Sequence, residues 1–362
     1  MISNIPAASP IVGYEERAAV DRVLRSGGLA QGPEVAAFEV EFSEQLTEGR
    51  PCVAVSSGTS GAHLGLVAAG VMPGDEVIVP SFTFAATPNS VALTGATPVF
   101  ADIEPNYFCL DPSAVEAAIT AKTVGIMPVH LYGHPAAMNA LEIIAGKHGI
   151  SIFEDAAQAH GASLHGSQVG SFGKFAMFSL YPTKNMTAGE GGMVACENQA
   201  FARRLRLLRN QGMERRYENE VIGFNARMTD IHAAIGRVQL SKLRNWTRSR
   251  QLNAEFLDAN LHGVAAPAVA EGASHVYHQY TVRVHGDRDA FARALQEEHC
   301  VGSGVYYPTP THRLPSFKQT LDLPETERAA SEVLSLPIHP ALTRADLHRI
   351  AEAVNTCAKA GT

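Results

Sequence analysis

The chain has 362 residues, 46% hydrophobic and 18% charged, with a formal net charge of -7. That is enough apolar material for two ordinary domains, and the absence of a basic stripe or an acidic tail excludes nucleic acid and anionic membranes as obvious partners and leaves a small molecule. Five widely spaced cysteines, Cys52, Cys109, Cys196, Cys300 and Cys357, form no Cys-x-x-Cys pair and read as reduced structural thiols of a cytoplasmic protein.

The N-terminal stretch Met1-Ile2-Ser3-Asn4-Ile5-Pro6 lacks the basic start and apolar run of a signal peptide, and no segment reaches the length of a membrane span, so a cytoplasmic chain without a targeting segment is expected. Ser26 to Gly32 reads as a loop. Pro33 then opens a helix whose Val35, Phe38, Phe42 and Leu46 share one face. The apolar segment Cys52-Val53-Ala54-Val55 runs into Ser56-Ser57-Gly58-Thr59-Ser60-Gly61 and then into a helical stretch from Ala62 to Ala68. A strand, a glycine and hydroxyl turn and a helix together can cradle a phosphate, because free amides and the positive end of the helix face the anion. The same pattern also suits a capped helix with no ligand. Without a Walker lysine or a Gly-x-Gly-x-x-Gly, nucleoside triphosphates and dinucleotides are poor fits.

Short apolar runs recur at Val77-Ile78-Val79, Pro98-Val99-Phe100, Val124 to Val129, Ile150 to Phe153, Ala176-Met177-Phe178 and Met193-Val194-Ala195, with helical segments such as Leu141 to Gly146 between them. This alternation predicts an α/β domain with a mainly parallel sheet, where ligands sit beyond the carboxyl ends of the strands. Ile150 to Phe153 ends in Glu154-Asp155-Ala156-Ala157-Gln158. Two carboxylates after a buried strand require a cationic partner for one, while the other is expected to face solvent. Asp155 suits either the partner of a protonated pyridine nitrogen or a helix N-cap. The aromatics of Ser81-Phe82-Thr83-Phe84 suit a flat ring or the core equally. Tyr132-Gly133-His134 has no metal-ligand spacing, and His275 and His278 read as strand residues.

Phe175 to Phe178 delivers Ser179-Leu180-Tyr181-Pro182-Thr183-Lys184-Asn185 to the glycine-rich turn Thr187 to Gly192. A desolvated lysine loses its proton more readily and attacks aldehydes, whereas a solvated one is an ordinary surface residue. Met228 to Leu243 reads as a helix with Ile231, Ala234, Ile235 and Val238 on one side. The polar run Asn245 to Arg250 is expected to lead out of the large domain. Tyr277 to Val284 alternates like an exposed strand, and Arg288 to Glu298 reads as a helix. The expected division is residues 1–240 as a large α/β domain and 241–362 as a smaller α+β domain.

In order along the chain stand Ser57-Gly58-Thr59-Ser60, Pro80 to Phe84, Pro128-Val129-His130-Leu131-Tyr132-Gly133 and Glu154 to Gln158. Phe178-Ser179 with Pro182 to Asn185, and Gly223-Phe224-Asn225-Ala226-Arg227-Met228, complete the set. Together they resemble the nucleotide-sugar aminotransferases of the DegT/StrS family, pyridoxal phosphate enzymes of fold type I, from about Gly32 to Pro340. Each motif is weak alone; six in register are specific.

The resemblance implies a mainly parallel seven-stranded sheet flanked by helices and pyridoxal 5'-phosphate as cofactor, with pyridoxamine phosphate as its intermediate form. It implies that Lys184 bonds to the cofactor aldehyde and later moves the proton, and that Asp155 pairs with the ring nitrogen. Gln158 would lie against the ring or its hydroxyl, Gly58, Thr59 and Ser179 would bind the phosphate, and Phe84 would stack on the ring. Asn225 would reach the phosphate of the neighbouring subunit, giving a homodimer with shared sites. The stretch Gly304 to His312 is similar to one that approaches the site in the family, which makes Tyr307 and His312 candidate sugar contacts or parts of a packed loop. The implied reaction carries an amino group from L-glutamate to a keto group, at C4 in preference to C3, of a nucleotide-linked deoxysugar. Related dehydratases have histidine in place of the lysine, so Lys184 favours amino transfer. A keto-cyclitol aminotransferase and a pyridoxal phosphate lyase are the alternatives. A regulator that merely binds the cofactor is disfavoured by the lack of a helix-turn-helix and the retention of both Lys184 and Asp155.

Overall fold

The computed structural model describes residues 3–360. Met1 and Ile2 of the stretch read for a targeting signal, and Gly361 and Thr362 of the expected second domain, lie outside the described residues. The apolar runs become strands β1 (Cys52–Val55), β2 (Glu76–Pro80), β3 (Thr97–Ala101), β4 (Thr123–Ile126), β5 (Ser151–Asp155), β6 (Phe175–Ser179) and β7 (Gly192–Cys196). They form one seven-stranded sheet in the order β1-β7-β6-β5-β4-β2-β3, in which only β7 runs antiparallel to its neighbours.

Among the described residues, eleven α-helices follow the same chain order: α1 (Tyr14–Ser26), α2 (Pro33–Leu46), α3 (Gly58–Ala69), α4 (Ala86–Ala92), α5 (Pro112–Ala118), α6 (Met138–His148), α7 (Gln199–Arg209), α8 (Asp230–Asn260), α9 (Arg288–His299), α10 (Pro324–Glu332) and α11 (Arg344–Ala360). The strands are apolar almost throughout because helices cover both faces of the sheet. Val53 and Val55 of β1 pack with Leu64 of α3 and Leu205 of α7, whereas Ala54 packs with Phe38 and Phe42 of α2. On that second side, α5 and α6 add Val115, Leu141 and Ile144 against Ile78, Ile126 and Ile152. Helix α1 has no counterpart in the sequence reading. It lays Ala19 and Val23 on Ala234 of α8.

The polar run Asn245 to Arg250 lies within α8, which continues unbroken to Asn260. Its first half packs Ala233, Leu240 and Leu243 against α2, and its last turns place Ala254 and Leu257 in a separate core. The division we propose at residue 240 therefore falls within one continuous helix.

That second core is built on an antiparallel sheet of β8 (Val264–Ala265), β9 (Tyr280–Val284) and β10 (Val333–Leu336), with β9 in the middle. Expected to be exposed, β9 is instead buried at four of its five residues, because α8, α9 and α11 cover the sheet. Ile5 joins this core, so the chain's start packs with its C-terminal part. His275 and His278, read as strand residues, lie in the irregular stretch before β9. No described helix is long and apolar enough to cross a membrane.

Candidate active site

At the carboxyl ends of the parallel strands lies a cavity of about 620 Å³, into which the turns after β1, β2, β4, β5 and β6 all open. A second hollow of about 670 Å³ lies between the end of α2 and the middle of α8. Size does not distinguish them; chemistry does, for the first brings together Gly58, Thr59, Phe84, Asp155, Gln158, Ser179, Lys184 and Tyr307.

The cradle begins where β1 runs into Ser57. The Ser57 backbone is extended, and its Oγ caps α3 by accepting the Ser60 N–H at 3.1 Å. The first amides of a helix have no partner within it, and the dipole makes that end attractive to an anion. Helix α3 can start here only because glycine occupies two positions. A Cβ on Gly58 would lie 3.0 Å from both Met177 Sδ and Ser179 Cβ, and one on Gly192 would meet the Ser57 carbonyl oxygen at 2.6 Å. Ser179, at the end of β6, lines the cavity beside Gly58 and Thr59.

Asp155 ends β5 and is 4% exposed. Its Oδ2 accepts from Thr87 Oγ1 at 2.7 Å and its Oδ1 accepts from the Ala157 N–H at 3.1 Å. Burial pushes its carboxyl above the usual value, opposed by those two hydrogen bonds and by the charge of Lys184. It is not a helix N-cap, since no helix begins there. Glu154, expected to face solvent, is fully buried. Its Oε2 accepts from His130 Nε2 at 3.2 Å and from the Gly170 N–H at 2.8 Å. His130 Nδ1 accepts the Ala136 N–H at 3.0 Å, which fixes the ring proton on Nε2. Adjacent residues of a parallel strand point to opposite sides, so Glu154 is locked behind the sheet while Asp155 faces the cavity.

Lys184 sits in the loop after β6 and is half-buried, because it forms part of the wall of an open cavity. Desolvation pulls its amine from 10.5 down to about 8, and the negative charge of Asp155 opposes that shift. No salt bridge joins the two groups among the described residues. Next to it, Asn185 donates to the Val276 carbonyl at 3.0 Å and presents Oδ1 to His278 Nδ1 at 3.2 Å, which places the proton of that neutral ring on Nδ1. Burial holds His278 well below its usual value, and Lys184 adds to the effect.

Gln158 is fixed at both ends. Its Oε1 accepts the Tyr132 N–H and its Nε2 donates to Tyr307 Oη, both at 2.8 Å. Tyr132 and Tyr307 hold left-handed backbone conformations, with φ of 57° and 59°, uncommon for such side chains and concentrated at functional sites. Burial raises the Tyr307 hydroxyl well above its usual value, so it stays protonated. The two aromatics of the Ser81 to Phe84 turn divide: Phe82 is in the core, and Phe84 is 64% exposed on the cavity wall.

Two of the expected residues lie elsewhere. His312 is fully buried, bonded through Nδ1 to Ser81 Oγ at 2.6 Å, and forms no part of the cavity wall. Asn225 is exposed and is likewise absent from the wall of its own chain's cavity. Thr87, His278 and Tyr181 do line the cavity and were not anticipated. No local signal marks Thr87 or His278, which are long-range contacts, but Tyr181 lies within the lysine motif and was readable as a neighbour of Lys184.

The arrangement offers an anion cradle, an exposed aromatic face, a buried carboxylate without a cation in direct contact and an amine of lowered basicity. Those features fit a flat, phosphorylated, cationic ring that carries an aldehyde. The family described as DegT/DnrJ/EryC1/StrS aminotransferase matches residues 10–355. A dTDP-3-amino-3,4,6-trideoxy-alpha-D-glucose transaminase of Streptomyces venezuelae is 41% identical over 98% of this chain and 95% of its own. A UDP-N-acetyl-3-dehydro-alpha-D-glucosamine 3-aminotransferase of Acidithiobacillus ferrooxidans is 38% identical over 92% of this chain and 91% of its own. Among solved structures, Spr1654 of Streptococcus pneumoniae in its PMP form superposes with a TM-score of 0.94 at 28% identity, covering 99% of this chain and 98% of that one.

Proposed function

The chain belongs to the DegT/DnrJ/EryC1/StrS aminotransferase family, and from that premise we propose that it uses pyridoxal 5'-phosphate to carry an amino group from L-glutamate to a keto group of a nucleotide-linked deoxysugar. The observation that carries this reading is the meeting of Lys184 and Asp155 in one cavity, the amine lowered to about 8 and the carboxylate held by Thr87 and Ala157. When bound, the cofactor supplies an aldehyde that exchanges its oxygen for the donor's nitrogen and a protonated ring that takes up the electrons of the broken C–H bond.

The rest is the work of the chain's own residues. Gly58, Thr59 and Ser179 bind the phosphate in this reading, and Phe84 covers the ring. Asp155, already an anion acceptor with both oxygens oriented, keeps the ring nitrogen protonated. Gln158 is held between Tyr132 and Tyr307 for a contact to the ring hydroxyl. Lys184 would hold the cofactor at rest and, once displaced by the donor, would take the proton from the donor α-carbon at Nζ; in the second half of the reaction Nζ would deliver a proton to the carbon that becomes the amine-bearing centre of the sugar. Tyr307, still protonated at neutral pH, is placed to donate to the sugar.

For the acceptor carbon we favour C4. A second reading, C3, is supported by the names of the relatives above, both of which carry the amino or keto group at position 3. The homodimer is supported by Asn225, exposed and away from its own cavity, on a loop whose Ile222 is 93% exposed and Phe224 40% exposed. Mixing inactive Lys184→Ala chains with inactive Asn225→Ala chains should restore activity through mixed dimers; no recovery would place Asn225 in its own subunit's service. The function itself is tested by supplying pyridoxal phosphate, L-glutamate and a panel of nucleotide-linked sugars with the ketone at C3 or C4. The expected result is 2-oxoglutarate together with one amino sugar. Failure of every nucleotide sugar alongside turnover of a keto-cyclitol would overturn it.

A further inference from the structure

Behind the reaction cavity lies a much smaller recess, about 20 Å³, whose wall includes Ser9, Lys184, Asn185, Gln239, Trp246 and Arg250. Lys184 thus lines two spaces, the large cavity and this recess. The volume suits one water or one monatomic ion.

Arg250 is the reason to ask which. It is 8% exposed, its Nη1 donates to the Tyr277 carbonyl at 3.2 Å, and its Nε has no hydrogen-bond partner. Among the described residues no carboxylate forms a salt bridge with it. A buried guanidinium without an anion is the kind of charge that proteins otherwise avoid. Burial pulls even this strongly basic group down to about 10.

The side-chain amide and Thr187 acceptors at the recess are each already engaged once. Gln239 Oε1 takes the Thr187 N–H at 3.3 Å, and Asn185 Oδ1 faces His278 Nδ1 at 3.2 Å. Thr187 Oγ1 donates to the Leu180 carbonyl and accepts the Gly189 N–H, both at 2.9 Å. The recess wall also carries four donors: Arg250, the Lys184 amine, the Trp246 indole N–H and the Ser9 hydroxyl. An anion needs donors alone, and it would supply the charge that the Arg250 guanidinium lacks.

We propose that this recess is a binding site for one small monovalent anion of the halide class, chloride or bromide, held against the Arg250 guanidinium beside Lys184. The site is centred on Arg250 and would exist in the cofactor-free protein, where the Lys184 amine is free to join its donors. By neutralising Arg250 it completes the packing between α8 and the Lys184 loop.

Trp246, the single tryptophan of the chain, reports on it directly. The protein is titrated with potassium bromide at constant ionic strength, with potassium gluconate as the balancing salt, while tryptophan fluorescence is followed. The expected result is quenching with a saturable component, which chloride, a halide that does not quench indole, suppresses competitively. Arg250→Gln should leave only the linear, collisional part. Should that variant not fold, the competition in the unaltered protein decides alone, together with a bromide-soaked crystal in which the anomalous peak should contact Arg250. Linear quenching unaffected by chloride, or bromide peaks only elsewhere, would overturn the proposal.

Discussion

Lys184 sets a pH threshold that can be calculated before it is measured. With its amine lowered from 10.5 to about 8, the neutral, nucleophilic fraction at pH 7 is about 9%, against about 0.03% for an ordinary lysine, a gain of about 300-fold. The perturbation is pH itself, and the assay is the second-order rate at which cofactor-free protein takes up pyridoxal phosphate, followed by absorbance. The rate should rise about tenfold from pH 6 to pH 7 and level off above pH 8, because the lowered basicity leaves no further protons to lose. Asp155 holds the Lys184 value up through its negative charge, so Asp155→Asn should move the whole profile to lower pH. A rate that climbs steadily through pH 10, or an Asp155→Asn profile displaced to higher pH, would refute the claim that Lys184 is desolvated and faces a charged Asp155.

Three further outcomes follow from particular contacts. His130→Leu leaves the buried carboxylate of Glu154 with only the Gly170 N–H and should cost about 1–3 kcal/mol in urea unfolding, whereas His130→Leu with Glu154→Met should recover most of it; a double variant as unstable as the single one would disprove the pairing. Gly192→Ala forces a methyl group against the Ser57 carbonyl at 2.6 Å, so cofactor affinity should fall at least tenfold in equilibrium dialysis, while an unchanged affinity would show that the cradle does not depend on this close approach. Phe84, 64% exposed, should be replaceable by Ala with a change in unfolding free energy within about 0.5 kcal/mol but with clear loss of cofactor affinity; the reverse pattern would make it a core residue.

The strands, the parallel sheet and the Lys184 and Asp155 positions were legible because buried strands in a two-sided sheet are nearly continuous apolar runs and because strand ends are where such folds place their chemistry. The misreadings share a cause. Glu154 and strand β9 each looked exposed by composition, yet each is buried by partners distant in sequence: His130 for Glu154, and the helices α9 and α11 for β9. Thr87 and His278 became visible only when the fold brought them to Asp155 and Asn185. His312 was drawn in by its nearness in sequence to Tyr307, but the chain turns between them and buries the histidine against Ser81.

The central claim is that Lys184 carries the cofactor in the cavity that Asp155 shares. It is tested most directly by treating the pyridoxal phosphate-loaded protein with borohydride and mapping the modified peptide by mass spectrometry. A pyridoxyl group should appear on Lys184 alone and disappear when L-glutamate is added before the reductant. Label on any other lysine, or label on Lys184 that glutamate leaves in place, would contradict it.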